Sequence, residues 1–389
     1  MAIQAEKLNL RRPQLGLSLV ELLIAMTLGL ILMAGMIAVF SGNKRSSELN
    51  TAMANMQENA RFALSTLATD IRMSAYQGCV DVRTSSLKVK ALNSPIPANG
   101  VDVSGTPLYD FNASSSTGSV IQPNGSWVPA IPGGFIPPVD NPAIPGTHAL
   151  ALQYGDRNQA RLIGPISVGG VPNPSGNLEI EAGIGLNAGE LAIVANCEIA
   201  ELFEVTNSTA SPDGQILGHG PAANFDGNFE VIYGAPINII QTRVMRFRSS
   251  IFYVGDTGLV NENGDQIRAL YEQTYPYNDA SNPPSEIVQG VENLRLSYGI
   301  RQGGTLRYVT ADDPAFDPRE VESIQVGLIM VSWDHIAEQD DTNTYIIAGQ
   351  SIAPAENSID ATTHAQDKRY RLVFNTTVKV RNRRDNRLL

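Results

Sequence analysis

From Leu17 to Phe40 the chain reads LSLVELLIAMTLGLILMAGMIAVF, 24 residues with one charge. At 1.5 Å of rise per residue, a helix of that length crosses a hydrocarbon core. The preceding segment, MAIQAEKLNLRRPQLG, is polar and carries Lys7, Arg11 and Arg12, so it stays outside a bilayer. After a break at Ser41, Gly42 and Asn43, apolar or small residues recur at Leu49, Met53, Met56, Ala60, Ala63, Leu67 and Ile71. This spacing marks one face of a helix. Glu48, Asn50, Gln57, Glu58, Arg61, Asp70 and Arg72 take the other positions. The pattern predicts an amphipathic helix running outward to about Tyr76 and stopped by Gly78.

The pattern then changes twice. Residues 93–147 are rich in Pro, Gly, Ser and Asn, which predicts a long insert dominated by loops. Beyond it, short alternating or apolar runs predict strands at 148–154, 190–195, 202–206, 244–254, 291–300, 323–332 and 371–381. In VENLRLSYGI, Leu294, Leu296, Tyr298 and Ile300 share one face, with Asn293, Arg295 and Ser297 on the other. Leu372, Phe374, Val378 and Val380 repeat the alternation near the C-terminus. The expected fold class is α+β: a long N-terminal helix packed on a mostly antiparallel sheet domain with long loops.

Residue types alone leave three readings of the apolar run open: a cleaved secretory signal, a plain single-span anchor and a buried core helix. Its length exceeds the apolar region of a secretory signal, and no A-x-A site follows it. A soluble core helix is not normally apolar all round for so long. A plain anchor leaves Glu21 unexplained, because a carboxylate in an apolar helix is costly unless it is paired or reaches the interface.

The stretch Gly16-Leu17-Ser18-Leu19-Val20-Glu21, behind a short basic leader and ahead of an unbroken apolar helix, resembles the class III signal of type IV prepilins. The resemblance implies cleavage between Gly16 and Leu17 by a membrane prepilin peptidase, N-methylation of Leu17, and Glu21 as the fifth mature residue. The usual first residue there is Phe, so Leu17 is a departure. In a filament, a neighbour's terminal ammonium neutralises such a carboxylate, and one charge pair in an apolar bundle fixes axial register. Charges flank the helix on both sides, at Lys7, Arg11 and Arg12 and at Lys44 and Arg45. An outward C-terminus therefore follows from the resemblance and not from charge counting.

Later segments are similar to PilW-type minor pilins: Ala75-Tyr76-Gln77-Gly78-Cys79, Asn196-Cys197, Leu202 to Asn207, Gly290 to Leu294 with Tyr298-Gly299, and Val373-Phe374, Thr376-Thr377 and Val380 to Arg383. The implied organisation is a leader at 1–16, a transmembrane and assembly helix at 17–40, its amphipathic outer half at 41–78, and a periplasmic β-rich domain at 79–389. The insert is expected to decorate an exposed face. The implied role is a minor pilin near the pilus tip that helps prime assembly. Its partners would be the peptidase, other minor pilins and the major pilin through the N-terminal helix, and a tip adhesin. The place is the inner membrane first and the pilus afterwards. Export would put Cys79 and Cys197 in an oxidising space, where a bridge would staple the helix end to the sheet; two free thiols are the alternative. Rival roles are a J-type minor pseudopilin of a type II secretion system, disfavoured by chain length, and a membrane-tethered binding or adhesion protein that never polymerises.

Composition narrows the chemistry. A net charge of −11 disfavours a nucleic-acid surface. His148, His219, His335 and His364 are scattered without metal-ligand spacing, and neither G-x-S-x-G nor a Walker A loop occurs, so no cofactor and no enzyme activity are expected. The acidic turns at 261–265 and 338–343 do not complete an EF-hand and are expected to be solvated, as is the basic C-terminus at Lys379, Arg381, Arg383, Arg384 and Arg387.

Overall fold

The computed structural model describes residues 18–80, 87–95, 116–121, 127–128, 135–225, 227–234, 241–316, 321–356, 358 and 360–381. Gly16, Leu17, much of the insert and the residues after Arg381 lie outside that set. The chain forms two compact units, one ending at Ala52 and the other beginning at Met53.

One helix, α1 (Leu19–Met73), runs without interruption through the expected break at 41–43. Its second unit begins with the amphipathic stretch, in which Met56, Ala60, Ala63, Leu67, Ala68 and Ile71 are buried. Five of these are positions the periodicity selects, with Ala68 added, while Leu49 and Met53, also selected, are half-buried. The helix stops three residues earlier than expected. Ala75 takes a left-handed backbone (φ 61°), and its N–H leaves the helix to bond the Gln153 carbonyl at 3.0 Å. The Tyr76 carbonyl then accepts from Gly155 N–H at 2.6 Å. Sheet pairing, and not the glycine at 78, sets the end.

In chain order the strands are β1 (Lys88–Val89), β2 (Ser116–Ile121), β3 (Trp127–Val128), β4 (His148–Arg161), β5 (Ser167–Val168), β6 (Val171–Pro172), β7 (Leu178–Glu181), β8 (Leu191–Ala195), β9 (Ala200–Glu204), β10 (Asn207–Ser211) and β11 (Gly214–Gly218). There follow β12 (Arg243–Val260), β13 (Gln266–Thr274), β14 (Ser285–Gln289), β15 (Val291–Gln302), β16 (Thr305–Val309), β17 (Val321–His335), β18 (Tyr345–Ile347), β19 (Gln350–Ala355), β20 (Thr363–Ala365) and β21 (Arg369–Lys379). Each of the seven expected strands has a counterpart in β4, β8, β9, β12, β15, β17 and β21. The hairpin β10–β11 and strands β13, β14 and β16 are additions. So are β2 and β3, which put paired backbone into an insert expected to be loop.

The largest sheet has nine strands, ordered β1-β9-β8-β12-β4-β2-β3, with β13 and β14 branching from β12. The branch arises because β12 is 18 residues long: one side pairs β8 at 243–246 and β13 further on, while the other side pairs β4. At the β4–β12 bulge, a Cβ on Gly155 would collide with Met245 and the Tyr76 carbonyl, so glycine is required where the helix exit meets the sheet. Pairing is antiparallel except β1–β9 and β19–β20.

A second sheet, β16-β15-β17-β21, carries the alternation noted in the sequence. On β15 the polar face is not solvated. Asn293 Nδ2 and Arg295 Nη2 both donate to the Ala361 carbonyl, at 2.6 and 2.7 Å, and Ser297 Oγ donates to the Ala348 carbonyl at 2.6 Å. The segment carrying β18 to β20 covers this face, with Ile347 and Ile352 packed on Ile329. Burying such groups is tolerable because each finds a carbonyl.

Candidate functional site: the N-terminal helix and its anchorage

At its start α1 closes a capping box. Ser18 N–H donates to Glu21 Oε2 at 3.2 Å, and Glu21 N–H donates to Ser18 Oγ at 3.2 Å. The S-x-x-E signal was readable in Ser18-Leu19-Val20-Glu21 as a cap, and satisfying two orphan donors is worth about 1 kcal/mol. Glu21 therefore already has a partner within its own chain.

The next turns are apolar on every side. The large hydrophobic side chains between Leu19 and Phe40 are 51–75% exposed. None of the described residues of this unit covers them, which leaves them to lipid or to other helices. The 22 residues from Leu19 to Phe40 measure about 33 Å as a helix, enough for a bilayer.

In the other unit, the helix is pinned to the sheet by polar contacts. Asn59 Nδ2 donates to the Gln289 carbonyl at 3.3 Å, and Tyr154 hydrogen-bonds Asp70. Burial, reinforced by the nearby charge of Glu272, pushes the Asp70 carboxyl up to about 6 despite that bond. Just past the helix end a disulfide joins Cys79 to Cys197, with the Cα atoms 4.6 Å apart. Around it pack Ala75, Val80, Leu87, Val89, Ile193, Ala195, Leu202 and Met245. The bridge ties the exit of the helix to the β8–β9 turn, where Cys197 itself has φ 71°.

The histidines serve the fold. Buried His148 accepts the Leu296 N–H at Nδ1 (3.2 Å), and burial together with the Arg295 charge lowers it to about 3. His219 Nε2 lies 2.8 Å from the Gly176 carbonyl, and His364 Nε2 2.8 Å from that of Asn343.

Tertiary structure does bring His335 to Asp265 and Asp367, with ligand atoms within 4.8 Å of one another. Guanidinium groups occupy that role of counter-charge: Arg369 Nη2 is 2.7 Å and Arg371 Nη1 2.8 Å from Asp367. Arg371 also grips buried Glu292 at 2.6 Å and Asp341 at 3.2 Å. Burial alone would raise the Glu292 carboxyl, but the Arg371 charge and hydrogen bonds hold it below its ordinary value. The expectation of two solvated acidic turns thus fails at one position of 338–343, where Asp341 is buried against Arg371 while the residues around it are exposed. It fails in part for 261–265, where Asn261 is buried and its Oδ1 accepts from the Asn263 and Asp265 N–H groups. Nothing in the local spacing of these residues signals the cluster, because its members come from four separate segments.

An apolar N-terminal helix continuing into a buried amphipathic stripe on an antiparallel sheet is the architecture of a pilin-like protein. A family model for the prokaryotic N-terminal methylation motif matches residues 11–37. The family model for type IV pilus-assembly protein W matches residues 251–382, from mid-β12 through β21, and the two matches together support a PilW-type pilin with a prepilin-type signal. No curated protein matches the chain.

Proposed function

We propose that the chain is a minor pilin: cut between Gly16 and Leu17 by the prepilin peptidase, N-methylated at Leu17, and built into a type IV pilus through its N-terminal helix. The observation that carries this is the exposed apolar first stretch of α1 within a methylation-motif signal. An anchor alone would account for the apolar surface but gives Glu21 no task beyond its cap. In a filament the Glu21 carboxylate exchanges Ser18 N–H for a neighbour's terminal ammonium, a charge-assisted and stronger bond. The subunit joins other minor pilins and the major pilin, helps prime assembly and sits near the tip. Its β-rich domain faces the periplasm before assembly and the exterior afterwards, where it is placed to carry a tip adhesin.

The test is the N-terminal sequence and mass of the protein recovered from sheared surface pili, comparing the native chain with Glu21→Ala. The expected result is a chain beginning at methylated Leu17 and loss of the variant from the fibre by at least tenfold, the equivalent of about 1.4 kcal/mol. A chain still beginning at Met1 and absent from pili would leave a membrane-tethered domain instead.

A further inference from the structure

The edges of the two main sheets are not treated alike. β1 and β3 are two residues long, β14 is capped by α1 through Asn59, and β16 is five residues long and carries Arg307. Shortness, cover and charge are the devices by which native sheets keep an edge from pairing with another chain. β21 is neither short nor charged along its middle, and what covers it there, the Asn375 side chain bonded to Ile346 and Ala348, leaves its outer backbone groups unpaired among the described residues. It is 11 residues long, and its centre, Leu372-Val373-Phe374-Asn375-Thr376-Thr377-Val378, lacks charge, Pro and Gly.

The direction of its hydrogen bonds follows from its neighbours. Tyr370 N–H donates to Ser332 Oγ and Val380 N–H to the Glu322 carbonyl, both on the β17 side. Even-numbered residues therefore face β17, and the N–H and C=O groups of Val373, Asn375 and Thr377 face outward. Among the described residues nothing bonds them. Asn375 and Thr377 are exposed.

We propose that this outer edge is a docking site for an extended segment of a second, different protein, which adds a strand to β21 and carries carboxylates where it passes Lys379 and Arg381. Charge complementarity names the occupant. At one end of the edge Arg369 and Arg371 are already matched by Asp367, Glu292 and Asp341. At the other end Lys379 and Arg381 are exposed and stand in no ion pair among the described residues. The unmatched charge is thus positive and confined to one end. A second copy fits badly. Antiparallel pairing about Asn375 sets Lys379 against Arg371 and Arg381 against Arg369, while parallel pairing stacks Lys379 on Lys379; neither brings a free carboxylate.

The test uses the full-length chain in living cells, with photoreactive p-benzoylphenylalanine replacing Thr377, or Arg307 on β16 as the reference edge. It is independent of whether the chain polymerises, since a membrane-tethered domain would crosslink equally well. The expected result is an adduct at 377 about tenfold above that at 307, mapping by mass spectrometry to an acid-containing extended segment of another protein. Val373→Pro removes an outward N–H without touching the β17 ladder and is expected to cut the adduct about tenfold. Lys379→Glu, at an exposed position that cannot unfold the sheet, is expected to cut it at least threefold. No adduct above the reference, an adduct only with a second copy of this chain, or an adduct that Lys379→Glu leaves unchanged would overturn the proposal.

Discussion

The two stretches of α1 obey different rules. Between Leu19 and Phe40 every face is apolar and exposed, whereas between Met56 and Ile71 only one stripe is apolar and it is buried. The same secondary structure is completed inside the chain in one case and left to other molecules in the other. Apolar surface with no partner in the fold is therefore a statement about assembly. Apolar surface with a partner is a statement about stability.

Substitutions in the two stretches sharpen that contrast, and the largest effect falls in the buried one. Leu67 is 1% exposed, so Leu67→Asp buries an unpaired carboxylate and is expected to cost 4 kcal/mol or more, on the order seen for the most damaging core changes. Urea unfolding of the detergent-solubilised chain measures it. Unaltered stability would mean that the stripe is not part of the core.

Next comes the bridge at the end of that stripe. Cys79 and Cys197 are 118 residues apart, and replacing both by Ser is expected to lose about 4 to 5 kcal/mol on the entropic account of a closed loop. The shift in unfolding midpoint between oxidised native chain and double variant reads it out.

In the exposed stretch, Leu30→Lys is expected to raise the cost of membrane insertion by about 3 kcal/mol while leaving the unfolding midpoint of the β-rich domain unchanged. Carbonate extraction of membranes and urea unfolding, run on the same variant, separate the two. A lowered midpoint would break the distinction between the stretches.

The smallest effect is that of pH at Asp70. A carboxyl raised to about 6 in the folded chain, against 3.8 otherwise, favours folding when protonated. Its contribution is fully present below about pH 4 and is lost as pH rises through 6. Because the group is partly exposed, the loss is on the order of 1 kcal/mol. Asp70→Asn should flatten the stability profile between pH 4 and 7, and an unchanged profile would remove Asp70 as its source.

Periodicity was enough for the helix stripe and for the seven main strands, because both are set by which residues leave water. It was not enough for β15. There the alternation between Leu294 or Leu296 and Asn293 or Arg295 looked like an inside and an outside, yet both faces are covered. The second layer comes from residues 345–365, far along the chain, and its carbonyls are what make Asn293, Arg295 and Ser297 tolerable inside. Likewise, the strand expected at 371–381 gave no sign that its Arg371 is met by Glu292 and Asp341 from distant segments, beside the nearby Asp367.

The sequence by itself determined the prepilin-type signal, the spanning helix, its amphipathic continuation and the antiparallel character of the rest, since each rests on local chemistry or on a period of 3.6 or 2. Only the tertiary structure decided that the helix ends at Met73, that the polar face of β15 is buried, and which long sheet edge is left unpaired among the described residues. Those outcomes depend on hydrogen-bond partners that folding brings together, and a partner distant in the chain leaves no mark on the spacing of the residues it satisfies.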